Sequence, residues 1–119
     1  MKILVTGDRH WSDRALVARE LKKVSDDGAT VLVHGAANEA DTIAGEVWAV
    51  LDSQTLEYPA DWGKLGKKAD ILRNQQMLDE NSDISLIIAF HDDLAKSKGT
   101  GDMVRRARKA GIEVRVVTH

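Results

Sequence analysis

Short apolar, β-branched runs alternate along the chain with longer stretches whose apolar positions recur at helical spacing. A parallel sheet covered by crossover helices produces this pattern. Five runs predict strands, at residues 2–6, 30–34, 55–58, 85–90 and 113–118. Residues 13–24 place Leu16, Val17, Leu21 and Val24 on one helix face, with Ser12 or Asp13 as N-cap. Residues 41–51 repeat the pattern with Ile43, Val47, Val50 and Leu51, and residues 67–81 with Ile71, Leu72 and Leu78. A fourth helix, over residues 100–110, ends at Gly111, which reads as a left-handed cap before the last strand. The expected architecture is α/β: one three-layer domain over residues 1–119, with helices on both faces of a mostly parallel five-stranded sheet.

Open α/β sheets bind ligands in the loops at their strand carboxyl ends, where the strand order reverses. Three predicted strands run into glycine-bearing turns: Thr6-Gly7-Asp8-Arg9, His34-Gly35-Ala36-Ala37 and Ser97-Lys98-Gly99-Thr100-Gly101-Asp102-Met103. The last opens a helix, so its amides and the positive helix end suit a phosphate. The bland alternative is a tight turn with Thr100 as N-cap. The longest irregular stretches, 59–65 and 91–98, also follow strands and bring Trp62, His91, Asp92 and Asp93 to the same edge as His10, Trp11 and His34. Trp11 and Trp62 are placed to stack on a base or, equally, to pack over the sheet end.

Composition narrows the partners. The chain has 119 residues and a formal net charge of −2, so DNA binding would need a local basic patch. It has no cysteine, which removes disulfides, thiolate zinc sites and cysteine nucleophiles together. No apolar run reaches the roughly 20 residues that span a bilayer, and the opening residues read as a strand, so a cytoplasmic location is expected. Asp8, His10, His34, His91, Asp92 and Asp93 lack the spacing of a metal site. No metal or other cofactor is expected, except Mg²⁺ arriving with phosphates.

Six blocks occur in one order: Val5-Thr6-Gly7-Asp8-Arg9; His34-Gly35-Ala36 with Ala40-Asp41; Tyr58-Pro59-Ala60-Asp61-Trp62; Arg73-Asn74 with Met77-Leu78; Ala89-Phe90; and Gly99-Thr100 with Asp102 to Ala107. In this order the chain resembles the YspA-like group of the SLOG superfamily, small Rossmann-like proteins of bacteria and phages. The resemblance implies a Rossmann-like fold, strand order 3-2-1-4-5 and a nucleotide-type ligand such as AMP, ADP-ribose or an NAD-like molecule, held by a sensor or sequestering protein. It also implies helix-mediated homodimers, for which Trp48 and Met77 are candidate surface residues.

The superfamily includes the LOG phosphoribohydrolases, whose Arg-Lys-x-x-Met segment and Gly-Gly-x-Gly-Thr-x-x-Glu turn carry the catalytic Arg and Glu. This chain keeps Arg73 and Met77, replaces the Lys by Asn74, and has Met103 where the Glu would stand. Asp102, one position earlier, points about 100° away around a helix. Relatives typically read His-Gly-Gly-Ala-Arg-Gly-Ala-Asp after the second strand; here Ala36, Asn38 and Glu39 replace a glycine, the Arg and a second glycine. The implied ligand-binding set is Thr6, Gly7, Asp8, Arg9, Trp11, His34, Gly35, Ala36, Asp41, Trp62, Arg73, Asn74, His91, Lys98, Gly99, Thr100 and Gly101. The alternative function is hydrolysis of a nucleotide N-glycosidic bond, with Arg73 and one of Asp8, Asp41, Asp92 or Asp102 as catalytic candidates. A third reading, single-stranded DNA binding as in the DprA-type relatives, runs against the acidic charge balance.

Overall fold

The computed structural model describes residues 1–36, 39–51 and 54–119, apart from the side chains of Trp62 and Lys67. Five parallel strands, β1 (Lys2–Gly7), β2 (Val31–His34), β3 (Gln54–Glu57), β4 (Ile84–Phe90) and β5 (Glu113–Val117), form one sheet in the order β3-β2-β1-β4-β5. The expected order is therefore observed, and it places the reversal between β1 and β4. The helices are α1 (Arg14–Asp26), α2 (Glu39–Leu51), a single turn α3 (Trp62–Leu65), α4 (Ala69–Glu80) and α5 (Gly99–Lys109). Each main element lies within a few residues of its expected position. The two irregular stretches hold α3 and a 3₁₀ turn at Leu94–Lys96.

The period-2 alternation of β1 divides the core in two. Ile3 and Val5 pack with Leu21, Ala44 and Trp48 of α1 and α2, whereas Leu4 packs with Met77, Met103 and Ala107 of α4 and α5. Strand β4 breaks this parity: Ile84 and Ile87 face α4 and α5, while Leu86, Ile88 and Phe90 face the other layer. The cause is a register shift, with Lys2 opposite Ile84 and Ile3 opposite Leu86, so Ser85 is the extra residue of a bulge.

Local chemistry sets the ends. The Asp13 carboxylate accepts the Leu16 N–H at 3.1 Å and caps α1. Gly111, with φ 78°, ends α5 in the left-handed region as expected. Trp48 is fully buried and donates its indole N–H to the Gln54 carbonyl at 3.0 Å, tying α2 to β3.

Ala36 has φ 51°, a left-handed conformation that costs an L-residue roughly 1–2 kcal/mol. Glycine relieves that strain but raises the entropy of the unfolded chain by an opposing, smaller amount. An Ala36→Gly variant is expected to be more stable by about 0.5 kcal/mol, read as a higher urea midpoint at unchanged slope.

Candidate functional site

A cleft of about 350 Å³ opens at the carboxyl edge of the sheet, at the reversal point. Thr6 and Gly7 at the end of β1, Asp8 and Arg9 after it, Gly35 after β2, and His91 with Lys96 to Thr100 after β4 line it. Asp41 of α2 and Asp70, Arg73, Asn74 and Met77 of α4 complete its walls.

Arg73 organises one end. It sits at helical spacing from Ala69 and Met77, on the buried face of α4, with only 8% of its surface exposed. Its Nη1 donates to the Gly35 carbonyl at 2.8 Å and to the Tyr58 carbonyl at 3.3 Å, and its Nε donates to Asn74 Oδ1 at 3.2 Å. One guanidinium thus joins the ends of β2 and β3 to α4. Burial pulls its pKa down, and the carboxylates of Asp41 and Asp70 oppose that shift. The close approach needs Gly35: a Cβ there would lie 2.6 Å from Arg73 Cζ.

The turn into α5 is occupied by the protein's own groups. Ser97 Oγ accepts the Thr100 N–H at 3.1 Å and the Gly101 N–H at 3.4 Å, so Ser97 supplies the side-chain cap. The buried Thr100 hydroxyl donates to the Gly7 carbonyl at 2.9 Å and fastens the loop after β1 to α5.

Asn74 and Asp102 belong to a bracing network. The Asn74 amide donates to the Gly99 carbonyl and to Asp102 Oδ2, each at 3.1 Å. Asp102 also accepts from Arg106 Nε at 2.8 Å, and Arg106 reaches Gln75 of α4. Asp102 therefore joins α5 to α4 and does not line the cleft. Met103 is fully buried in the layer beneath α4 and α5. The LOG-type glutamate position is core here.

Several expected site residues are placed elsewhere. Trp11 is 2% exposed; its ring meets Phe90 at a centroid distance of 5.6 Å and stacks on His119 at 4.3 Å, leaving no face for a base. His119 is held by Asp92 at 2.7 Å and Asp13 at 3.2 Å, contacts that raise its pKa and engage Asp92 outside the cleft. Trp48 and Met77 are both buried within the protomer, so neither offers a dimer surface, contrary to expectation. Gly101 and Ala36 do not line the cleft. Ala37 and Asn38 lie outside the described residues, as does the side chain of Trp62. Conversely, Lys96 and Asp70 line the cleft although the sequence did not single them out, as does Ser97, which the turn motif contained but the ligand-binding set did not. Among the described residues no group of three or more His, Asp or Glu side chains is placed to hold a metal ion.

His34 also turns away from the cleft. It is 3% exposed, its Nδ1 accepts the Ala36 N–H at 3.0 Å, and its Nε2 lies 3.7 Å from Glu57 Oε1. Burial lowers its pKa; Glu57 opposes the shift and Arg73 adds to it. The neutral ring accepting at Nδ1 is thus the native form. Because the native pKa lies below the unfolded value of about 6.5, stability is full above that pH and falls as the pH drops toward the native value. The loss between pH 7.5 and pH 5 is read in urea unfolding as the difference between wild type and a non-titrating variant, since His119, whose raised pKa adds stability over the same range, contributes equally to both. His34→Asn, whose Oδ1 can accept the same N–H without titrating, should lose less.

A parallel sheet with a polar cleft at its reversal point defines a Rossmann-like α/β protein. The chain belongs to the YspA, cpYpsA-related SLOG family, which its residues 1–64 match. It is similar to the Gene 61 protein of Mycobacterium phage D29, with 39% identity over 122 residues that cover 95% of this chain and 93% of that protein. No solved structure matches it significantly. Among the described residues no helix is long and apolar enough to cross a membrane.

Proposed function

We propose that the protein binds a nucleotide or nucleotide-derived small molecule in this cleft and works as a sensor or sequestering protein. The observation that carries the reading is the position of the cleft: the loops after β1, β2 and β4 converge there, at the reversal of strand order, with Arg9, Arg73 and Lys98 among the residues that line it. Family membership is consistent with nucleotide-related chemistry.

The test is thermal unfolding with AMP, ADP-ribose, NAD and cyclic nucleotides, followed by chromatography of each mixture. A ligand that binds only the native state raises the melting temperature by mass action, about 2.7 kcal/mol at a hundredfold excess over Kd. A shift with intact ligand supports the proposal, and no shift with any of them overturns it. Released base would make the protein a hydrolase, a role for which Met103, buried in the core, offers no acid or base.

A further inference from the structure

An open sheet leaves two edges, here β3 and β5. Strand β5 reads Glu113-Val114-Arg115-Val116-Val117 and pairs with β4 in unbroken register, from Glu113 opposite Leu86 to Val117 opposite Phe90. The His91 N–H donates to the Val117 carbonyl at 3.1 Å, so Val117 turns its backbone polar groups toward β4. By the alternation of a strand, Glu113 and Arg115 do the same, whereas Val114 and Val116 turn theirs outward. Among the described residues no donor or acceptor meets these outward groups.

Edges are commonly blunted against self-pairing by lysine, proline or a bulge. Strand β5 carries none of these. Its charges are opposite in sign and two residues apart, so Glu113 and Arg115 share one face of the sheet. Val117, of the same parity, packs in the α1 and α2 layer, and Val114 packs in the other. Both charged residues are exposed. Glu113 has no ion pair among the described residues, and Arg115 lies 3.8 Å from Glu20, a carboxylate that Lys23 also meets at 3.5 Å.

A second copy of the chain fits this edge in one register. Antiparallel pairing centred on Val114 sets outward backbone groups against outward groups and places Glu113 opposite the partner's Arg115 on both sides of the axis. The next register in either direction sets Arg115 or Glu113 opposite its own copy, a like-charge pair. The β3 edge has no such complement: its charged residue is Glu57 alone, and its Gln54 carbonyl is taken by the Trp48 indole.

We propose that the protein self-associates through β5, as a two-fold dimer whose sheets join edge to edge with Glu113 facing the partner's Arg115. The contact is independent of the cleft and of the buried helix residues Trp48 and Met77. It closes at two chains, because pairing uses up the β5 edge of each.

Sedimentation equilibrium of the full chain tests this. Wild type is expected to reach twice the mass of one chain at or below about 100 µM, and a monomer at that concentration overturns the proposal. Glu113→Arg and Arg115→Glu each set like charges opposite one another at both ends of the contact, and each is expected to associate more than about tenfold more weakly than wild type. Mixed in equal amounts, the two variants regain opposite charges at both ends and are expected to form a heterodimer within about threefold of wild-type affinity. A mixture that stays monomeric overturns the pairing of Glu113 with the partner's Arg115. Val114→Pro removes an outward N–H and no bond to β4, so it is expected to keep the wild-type circular dichroism and lose the dimer. A dimer that survives Val114→Pro, or survives either charge variant at wild-type strength, overturns the assignment to β5.

Discussion

Gly7→Ala is expected to destabilise the protein by about 3 kcal/mol or more, lowering the melting temperature by roughly 10 °C. A Cβ at this position would lie 2.7 Å from the Ala40 Cβ, 2.8 Å from the Phe90 carbonyl oxygen and 3.2 Å from the Phe90 Cβ. None of these atoms is the end of a flexible chain. Ala40 belongs to α2 and Phe90 to β4, so relief needs a helix or a central strand to move. Neither can do so cheaply, because the Asp8 N–H donates to that same Phe90 carbonyl at 2.8 Å and the Thr100 hydroxyl holds the Gly7 carbonyl. The damage should also reach function, since the loop after β1 carries Arg9 into the cleft. Gly63→Ala is the matched comparison: the nearest atom to a Cβ there is 3.9 Å away, at an Asp61 carboxylate oxygen, and its effect should stay within about 0.5 kcal/mol. Thermal or urea unfolding of the two variants side by side measures the difference.

The contrast between these glycines shows what the sequence conveyed. Gly7, Gly35 and Gly99 were legible as turn glycines at strand carboxyl ends, because alternating periodicity located the strands and the resemblance supplied their order. That was enough to find the cleft. The reason for each glycine was not legible. Gly35 reads as room for a phosphate, whereas in the structure it makes room for Arg73, which arrives from a helix 38 residues later. Trp11 reads as a loop aromatic available to a ligand, yet it is buried, stacked on His119 and tilted against Phe90, partners that local pattern cannot reveal. The bulge at Ser85 was equally hidden. An apolar run such as Ile84 to Phe90 is buried on both faces, so it contains no polar residue alternation from which a slip in parity can be read.

Asp70 and the role of Ser97 were missed for a different reason. A serine before a helix and an aspartate in its first turn are ordinary capping chemistry, and Ser97 does cap α5. What makes them part of the site is the neighbouring strand order, which brings the starts of α4 and α5 to one cleft. The Met103 and Asn74 positions carried the opposite lesson. Their departure from the hydrolase pattern was visible in the sequence, and the structure supplies the physical correlate: one is core and the other braces α4 against α5.

Arg73→Met is expected to cost about 3–5 kcal/mol and to abolish the proposed nucleotide binding. The replacement keeps an apolar stem of similar reach but leaves the Gly35 and Tyr58 carbonyls without their donor and removes the positive charge that the carboxylates of Asp41 and Asp70 face. Asp41 is 3% exposed, so solvent compensates poorly for the lost cation. Arg73→Lys should recover only part of the loss, because a single ammonium cannot reproduce a fork that serves two carbonyls from Nη1 and the Asn74 amide oxygen from Nε. Coupling separates the electrostatic part from the packing part. If Asp41 and Arg73 compensate each other, Arg73→Met combined with Asp41→Asn should be more stable than the sum of the single losses by about 1–3 kcal/mol. Strict additivity in urea unfolding would show instead that Arg73 and Asp41 are uncoupled. In that case the cost of Arg73→Met is set by its bonds to the Gly35 and Tyr58 carbonyls and by its charge opposite Asp70.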